Sequence, residues 1–403
     1  MGNRNATVAA AKLAAPVSLP KRVTVLGATG SIGASTLDLV ARNPHAYKIV
    51  ALTAQSNARK LAELAVSHGA EIAVIGDETR YGELCEHLSG TGIRAAAGRD
   101  ALVEAASEPA DCVMAAIVGA AGLEPTFAAV AQGKRLALAN KECLVSAGDV
   151  FMEAVRKSGA ELLPVDSEHS AGFQALGANA AVDIEKIILT ASGGPFRSWT
   201  FEQIAAATPE QALKHPNWSM GAKITIDSAS LMNKGLELIE AYHLFPVEVE
   251  QLDCIVHPQS IVHCLVTYRD GSVLAQLSCP DMRTPIALSL AWPARMEAPT
   301  ERLNLVKIAT LTFEAPDEAR FPALAVAKDA MRRGGTAPAI MNAANEIAVE
   351  AFLNKKIGFL DIARTVRETL DRAEGNGLLT KARTLSDVLE VDREARALAR
   401  ASL

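Results

Sequence analysis

The sequence of 403 residues predicts an α/β fold in which a doubly wound parallel sheet comes first, a central α+β domain follows and a helical domain ends the chain. Short, almost continuously apolar segments alternate with helical patterns as far as Val165. The middle of the chain is rich in Gly, Ser, Asn and Pro, and the pattern after Leu324 is helical. Continuous apolar strands between helices are typical of a parallel sheet that is covered on both faces.

Six strands are predicted for the first domain, at residues 22–26, 47–52, 72–75, 111–118, 135–138 and 161–166. A helix follows the first of them and continues to about Val40. In the central domain, strands are predicted at 255–257, 261–268 and 272–277. Asp270-Gly271 predicts a hairpin turn between the last two.

These patterns divide the chain into a disordered extension at 1–20, a first domain at 21–165, a central domain at 166–310, and a linker with a helical domain at 311–403. The final domain carries no obvious chemistry. We therefore expect it to pack against the other domains and to support them.

The composition is that of a globular protein with a sizeable core, because 49% of the residues are apolar. The formal net charge is −6 and no long basic run occurs, which argues against a nucleic-acid partner. No apolar run reaches transmembrane length, so no membrane partner is expected. The six cysteines are scattered without a CxxC pair, which favours free thiols and a cytoplasmic location.

A glycine-rich turn follows the first strand. Gly27, Gly30 and Gly33 have GxxGxxG spacing and lead into an apolar helix. Glycines let the backbone approach a pyrophosphate, and the N-terminus of a helix offers free amides. Because it stands between a strand and a helix, the turn predicts a Rossmann-type dinucleotide site. The alternative is a purely structural turn.

The end of the second strand indicates which dinucleotide is bound. A site for NAD carries Asp or Glu there, which contacts the ribose 2′-hydroxyl. This sequence has Gln55, Ser56 and Asn57 instead, and Arg59 and Lys60 follow. No carboxylate is present to repel a 2′-phosphate, so the sequence favours NADP(H). The alternative for the two cations is a solvated helix face.

Three carboxylates indicate a metal site. Asp166 and Glu168 follow the sixth strand, where their spacing places both on one side of an extended segment. Glu237 is predicted near the start of a helix. Together with substrate oxygens, three carboxylates would form a hard site for Mg²⁺ or Mn²⁺. On spacing alone, the alternative is a set of surface carboxylates at the end of a strand.

Polar donors crowd the segment after Thr190. Hydroxyl, imidazole, amide and ammonium groups suited to one phosphate are supplied by Ser192, His215, Ser228, Asn233 and Lys234. Trp218 would close over a small ligand or pack in the core. Lys141, between Asn140 and Glu142, ends the fifth strand at the edge where doubly wound sheets bind ligands.

In combination, these motifs resemble the 1-deoxy-D-xylulose 5-phosphate reductoisomerase family. The motifs that carry the resemblance are GATGSIG, ANKE, VDSEHSA, SGGPF, HPNWSMG, MNKGLE, HPQS and PDMRTPI, within a stretch from about Val23 to about Arg393. The resemblance implies an enzyme that uses NADPH and Mg²⁺ or Mn²⁺, with Co²⁺ as a third option. It would convert 1-deoxy-D-xylulose 5-phosphate into 2-C-methyl-D-erythritol 4-phosphate. A homodimer and a mobile lid at 192–222 are also implied.

The resemblance further implies roles for individual residues. Catalytic roles fall to Lys141, Glu168 and His169, and the metal ligands would be Asp166, Glu168 and Glu237. Residues expected to bind the cofactor are Gly27, Thr29, Gly30, Ser31, Ile32, Gln55, Ser56, Asn57, Asn140, Glu142 and Gly221. Residues expected to contact the phosphorylated sugar are Lys141, Ser167, Glu168, Ser192, His215, Trp218, Ser228, Asn233, Lys234 and Glu237.

One departure from the family concerns the 2′-phosphate. Many members carry Gly-Lys-Asn or Gly-Arg-Asn where this sequence has Gln55-Ser56-Asn57, so weaker discrimination against NADH is expected.

Three other functions stay open on the residues alone. One is a semialdehyde dehydrogenase, for which Cys143 and Cys279 are the thiols to check as nucleophile. The second is a metal-dependent phosphosugar isomerase or aldolase without redox chemistry, and the third is a regulator that senses a dinucleotide. His257 and His263, on predicted strands, are either core residues or ligands.

Overall fold

The computed structural model describes residues 19–177, 181–218 and 220–403, so the predicted extension at 1–20 lies outside the described residues except for its last two. The strands of a first sheet are β1 (Lys21–Leu26), β2 (Tyr47–Ala54), β3 (Ile72–Ile75), β4 (Arg94–Ala97), β5 (Cys112–Ala115), β6 (Arg135–Leu138) and β7 (Glu161–Pro164). All pairings in this sheet are parallel, in the order β4-β3-β2-β1-β5-β6-β7.

The α/β fold and the six predicted strands of the first sheet are confirmed, although β5 ends at Ala115 and the predicted strand at 111–118 is too long. The sequence does not predict β4. Its residues, Arg-Ala-Ala-Ala, include no β-branched or aromatic side chain, and at the edge of the sheet none of them is fully buried. A strand of this composition forms because β3 offers it a partner, which no local pattern reveals.

Helices cover both faces of the first sheet. They are α1 (Ser31–Ala41), α2 (Ala58–Ser67), α3 (Tyr81–Leu88), α4 (Arg99–Ser107), α5 (Leu123–Ala131) and α6 (Glu142–Ser158). Two separate apolar cores fill the two faces, one under α1 to α3 and one under α4 to α6. Because β1 lies between β2 and β5, the strand order reverses at β1, and a crevice forms at the carboxyl ends of these strands.

Helix α7 (Ser167–Leu176) leads into the second sheet, whose strands are β8 (Ile184–Ala191), β9 (Leu252–Val256), β10 (Val262–Tyr268) and β11 (Val273–Leu277). Between β8 and β9 come α8 (Phe201–Ala205), α9 (Pro209–Ala212), α10 (Ala222–Ser230) and α11 (Met232–Leu244). The strand order is β11-β10-β8-β9. The predicted hairpin is confirmed, because β10 and β11 pair antiparallel. The sequence does not predict β8, whose partners β9 and β10 lie far away in the chain.

The remaining helices are α12 (Arg283–Ala291), α13 (Leu305–Ile308), α14 (Pro322–Arg333), α15 (Ala337–Leu353), α16 (Asp361–Gly375) and α17 (Leu385–Arg400). The predicted helical end of the chain is thus confirmed, and α14 to α17 share one apolar core with the second sheet. No helix in the described ranges is both long enough and apolar enough to cross a membrane. All six cysteines lie in those ranges and are free thiols.

Helix α12 packs on the first sheet although it follows the second sheet in the chain. Ile286 and Leu290 belong to the apolar core under α1. The carbonyl oxygen of Leu290 accepts hydrogen bonds from Lys21 at 3.3 Å and from Arg135 at 3.2 Å. The chain therefore leaves the first sheet after Val165 and returns to it at α12. The domain boundaries named above stay a prediction.

Candidate functional site

A cavity of about 610 Å³ lies where the carboxyl ends of β5, β6 and β7 face the second sheet. Helices α10 and α11 and the end of β8 form its other walls. Many predicted site residues line it: Gly30, Ser31, Ile32, Asn140, Lys141, Glu142, Asp166, Ser167, Glu168, Ser192, His215, Trp218, Gly221, Ser228, Asn233, Lys234 and Glu237. The predicted metal and substrate groups thus surround one space together with part of the predicted cofactor site.

The glycine-rich turn forms one wall because it brings β1 directly into α1. Gly27 has a φ of +84°, and a Cβ atom there would lie 2.5 Å from the carbonyl oxygen of Ala116. A Cβ atom at Gly33 would lie 2.5 Å from the carbonyl oxygen of Gly27. Only glycine fits at these two positions. Gly27 and Thr29, which are also predicted to bind the cofactor, are not among the cavity-lining residues.

The predicted contacts to a 2′-phosphate lie outside the cavity lining. All three residues are exposed, namely Gln55, Ser56 and Asn57. Asn57 caps helix α2, since its Oδ1 accepts a hydrogen bond from the backbone N–H of Lys60 at 3.0 Å. Arg59 and Lys60 pair with the same carboxylate, Glu63, at 3.3 and 3.8 Å. The two cations therefore lie on a solvated helix face next to the end of β2.

The three predicted metal ligands converge. One oxygen from each of Asp166, Glu168 and Glu237 lies within 4.8 Å of the others. The predicted extended segment at Asp166 and Glu168 is wrong. Helix α7 begins at Ser167, and Asp166 is its N-cap. The side chain of Asp166 makes no capping hydrogen bond and is paired with Lys141 instead, so it is available to the site. Glu237 lies in the second turn of α11, deeper in the helix than predicted.

Two buried lysines neutralise most of this charge. Nζ of Lys141 lies 2.5 Å from Oδ2 of Asp166 and 3.0 Å from Oε1 of Glu237. Nζ of Lys234 lies 2.8 Å from Oε1 of Glu168 and also contacts Glu237. Three carboxylates against two ammonium groups leave one negative charge. This oxygen-rich, incompletely neutralised set fits a hard divalent cation.

The pKa values of these groups shift because the groups are buried beside one another. Burial alone would lower the pKa of Lys141, but Asp166 and Glu237 raise it well above its ordinary value. Burial would raise the pKa of Asp166, whereas Lys141 holds it below its usual range. Burial and the neighbouring Glu168 raise the pKa of Glu237. Glu237 is therefore a buried carboxylate that a further cation would stabilise.

His169 is fully buried behind the carboxylates. Its Nδ1 lies 3.0 Å from Oε2 of Glu240, and its Nε2 lies 2.8 Å from the backbone carbonyl oxygen of Glu237. Burial would lower the pKa of His169, but Glu240 raises it to about 9. A protonated ring donates from both nitrogens and so ties Glu240 to the backbone of Glu237. The predicted catalytic role of His169 stays a prediction.

The predicted phosphate donors meet around His215. Its Nε2 lies 3.0 Å from Oγ of Ser192 and 3.1 Å from Oγ of Ser228. Its Nδ1 accepts a hydrogen bond from the backbone N–H of Trp218 at 3.0 Å, so the ring proton lies on Nε2. Burial lowers the pKa of His215, which favours the neutral ring. A neutral donor flanked by two hydroxyl groups suits a phosphate oxygen.

The structure adds two residues that the sequence did not single out, Lys223 and Asp227. Nζ of Lys223 lies 2.9 Å from Oε1 of Glu142 and 2.8 Å from Oδ2 of Asp227. The backbone N–H of Glu142 donates to Oδ1 of Asn140 at 3.1 Å. Lys223 therefore joins α10 to the start of α6, which follows β6. The four-residue spacing of Lys223 and Asp227 on a helix is the signal that could have found them.

Neither Cys143 nor Cys279 has the environment of a nucleophile, and neither is among the described residues that line the cavity. Burial raises the pKa of both thiols, whereas a nucleophilic thiol needs a lowered pKa. The semialdehyde dehydrogenase alternative thus lacks its nucleophile. His263 does line the cavity, and its Nε2 lies 3.0 Å from Oγ of Ser278.

The predicted lid at 192–222 contains the short helices α8 and α9. Thr200 and Thr208 start these helices with capping boxes, so the segment has local order of its own. Ser219 lies outside the described residues. The mobility of the lid stays a prediction.

Comparison with protein families gives three matches along the chain. Residues 23–148 match the model of 1-deoxy-D-xylulose 5-phosphate reductoisomerase, and residues 162–245 match the model of its C-terminal domain. Residues 277–398 match a second model, the DXP reductoisomerase C-terminal domain. Together these matches cover most of the first sheet, strand β8 with helices α8 to α11, and the helices from α12 to α17, but not strands β9 and β10.

Individual relatives are similar over nearly the whole chain. The 1-deoxy-D-xylulose 5-phosphate reductoisomerase of Zymomonas mobilis is 56% identical over 380 residues, covering 94% of this chain and 97% of the relative. That of Gluconobacter oxydans is 57% identical over 383 residues, covering 95% and 93%.

Solved structures agree with the fold. The Zymomonas mobilis enzyme in complex with NADPH has a TM-score of 0.88 at 54% identity, covering 95% of this chain and 99% of that chain. A DOX-P reductoisomerase in complex with NADPH, fosmidomycin and magnesium has a TM-score of 0.91 at 44% identity, covering 94% and 98%.

Proposed function

The chain belongs to the 1-deoxy-D-xylulose 5-phosphate reductoisomerase family, and on this premise we propose that it converts 1-deoxy-D-xylulose 5-phosphate into 2-C-methyl-D-erythritol 4-phosphate. It is an NADPH-dependent enzyme that also uses a divalent metal. The three carboxylates suit Mg²⁺ or Mn²⁺. The reaction rearranges the carbon skeleton and then reduces the resulting aldehyde. The main support for this reaction is one observation. The convergent carboxylates Asp166, Glu168 and Glu237 share one cavity with the phosphate donors and the glycine-rich turn.

The carboxylate set determines how the reacting end of the substrate is held. A divalent ion there would supply Lewis-acid polarisation of the neighbouring carbonyl and hydroxyl oxygens. Lys141 and Glu168 line the cavity beside this position and are the groups that would hold and move protons during the rearrangement. His169, tied to the backbone of Glu237, keeps that carboxylate in place.

The phosphate end would be held by groups that keep one arrangement before binding. Ser192, His215 and Ser228 already contact one another, so little reordering is required. Lys234 supplies the positive charge. Trp218 would close over the substrate and exclude water, and binding energy from the phosphate would drive this closure.

The cofactor would lie with its pyrophosphate at Gly30, Ser31 and Ile32 and its nicotinamide beside Asn140 and Glu142. Since Arg59 and Lys60 are shared with Glu63, their attraction for a 2′-phosphate is partly neutralised. We therefore expect a weaker preference for NADPH over NADH than in relatives that carry a cation at position 56.

The edge strand β11 supports a homodimer. Within the described ranges it pairs on one side only, with β10, and it leaves Val273 and Leu274 exposed by 52% and 46%. An apolar unpaired edge is a strong site for association with a second copy. Light scattering after size-exclusion chromatography should give twice the mass of the chain, and Leu274→Lys should give the monomer.

We place the protein in the cytoplasm, because its cysteines are free thiols.

The test of the proposed function is consumption of NADPH with 1-deoxy-D-xylulose 5-phosphate, with Mn²⁺ and with a chelator. We expect loss of NADPH absorbance that requires both the substrate and the metal. Turnover of the substrate without NADPH consumption would instead indicate a phosphosugar isomerase or aldolase. No turnover under any metal would overturn the assignment of substrate and reaction.

A further inference from the structure

Helix α15 carries polar side chains where packing alone would use apolar ones. Most of its residues are fully buried against α14, α16 and α17, and most of those are Ala, Ile, Met, Val or Phe. Asn345 is nevertheless fully buried, and its neighbour Glu346 is largely buried. A buried amide or carboxylate costs free energy unless it is paired. The partners of these two residues therefore indicate what their polarity achieves.

Asn345 is bonded to the phosphate end of the site. Its Nδ2 donates to Oδ1 of Asp227 at 2.8 Å, and the other oxygen of Asp227 lies 2.8 Å from Nζ of Lys223. Asp227 is 1% exposed and directly precedes Ser228, whose hydroxyl lies against His215. The rotation of α10 about its axis, and with it the direction of the Ser228 hydroxyl, is thus held from α15.

Glu346 is bonded to the nicotinamide end. Its Oε1 accepts from the backbone N–H of Ala120 at 3.4 Å, and its Oε2 accepts from Arg396 at 2.6 Å. Nδ2 of Asn140 donates to the carbonyl oxygen of Gly119, the residue before Ala120, at 3.1 Å. The loop after β5, which lines the cavity, is thus backed by a carboxylate whose own position Arg396 fixes.

The two bonds belong to one closed path. From Asp227 it passes through Lys223 to Glu142, and the N–H of Glu142 donates to Asn140. From Asn140 it continues through Gly119 and Ala120 to Glu346, which follows Asn345 on the same helix. Each member limits the movement of the next, because a displaced member would leave buried polar groups unpaired.

We propose that Asn345 and Glu346 are positioning residues of the active site, Asn345 for the substrate phosphate and Glu346 for the nicotinamide of the cofactor. This inference rests on the proposed function for the identity of the two ligands. The helical end of the chain then sets the separation between the two sites, beyond the packing role expected from the sequence.

The test is a set of four leucine variants, three on helix α15 and one at its C-cap. Asn345→Leu should raise the KM for 1-deoxy-D-xylulose 5-phosphate about tenfold and change the KM for NADPH by less than about twofold. Glu346→Leu should give the reverse. Asn354→Leu and Glu350→Leu are the matched controls, because both side chains are exposed at the C-terminal end of this helix, Glu350 in its last turn and Asn354 at its C-cap. Both KM values should stay at the wild-type level.

The crossed pattern separates positioning from loss of stability, because partial unfolding lowers the active fraction without separating the two KM values. Equal rises in both KM values, or none, in the folded Asn345 and Glu346 variants would overturn the inference. If a leucine variant is insoluble, the alanine variant replaces it. If the wild-type protein shows no turnover, the proposed function fails. The inference is then decided by binding, with inorganic phosphate affinity weakened in the Asn345 variant and NADPH affinity in the Glu346 variant.

Discussion

Nζ of Lys141 lies 2.5 Å from Oδ2 of Asp166, so the ammonium group that is predicted to act in catalysis forms an ion pair with a predicted metal ligand. A divalent ion must compete with this ammonium group for the same carboxylate. Lys141→Met removes one of two positive charges facing three carboxylates, which changes the balance from one net negative charge to two. Mn²⁺ affinity without substrate, measured by calorimetry, should therefore rise about tenfold while turnover falls. The exposed Lys157→Met is the control. Unchanged or weaker Mn²⁺ binding in Lys141→Met would contradict this account.

Glu237→Gln should separate metal chemistry from cofactor binding. The substitution keeps the shape of a fully buried side chain but removes one of the convergent carboxylates. Metal-dependent turnover should fall at least about a hundredfold, as expected when a metal site loses one anionic ligand. NADPH affinity, followed by fluorescence, should stay within about twofold of the wild type. Loss of NADPH binding in this variant would show that the two sites are not separate.

Gly33→Ala should weaken NADPH binding and lower stability. Its Cβ atom would lie 2.5 Å from the carbonyl oxygen of Gly27, so the turn between β1 and α1 must open. We expect a loss of about 1–3 kcal/mol in the free energy of unfolding. Gly82→Ala in helix α3 is the control, since no heavy atom lies within 4 Å of its Cβ position. That variant should be unchanged or about 0.5–1 kcal/mol more stable. Both values come from denaturant titration.

His263 should make the protein less stable in mild acid. Burial lowers its pKa from 6.5 to about 4, so the folded protein keeps the ring neutral where the unfolded chain takes up a proton. The contribution of this residue is fully present above pH 6.5 and is lost as the pH falls towards 4, by on the order of 2–3 kcal/mol. His263→Gln should flatten the stability profile in this window. The exposed His45→Gln should leave it unchanged, and a steep profile in both variants would exclude His263 as the cause.

The sequence could predict those structural features whose physical cause lies within a few neighbouring residues. The turn at Gly27 and Gly33 follows from backbone geometry within a few residues, so spacing alone indicated it. The metal ligands were indicated by residue type together with the family resemblance, although the start of α7 at Ser167 was not. No comparable signal indicated the long-range partners of Lys223, Asn345 and Glu346, although the spacing of Lys223 and Asp227 suits an ion pair within α10. These long-range partners lie 81, 118 and 226 positions away, and only the folded chain shows which polar groups meet.

The return of the chain to the first sheet at α12 has a consequence for synthesis on the ribosome. The apolar surface of α1 is covered by Ile286 and Leu290, which are made long after the seven strands of that sheet. A nascent chain that ends near Val165 would hold this surface open to water. The nucleotide-binding half then becomes complete only when residues 283–291 have emerged, after the whole second sheet has been translated. Both walls of the cavity therefore become complete at the same stage of synthesis. A fragment that ends between Val165 and residue 283 would leave the surface of α1 exposed and would be prone to aggregate.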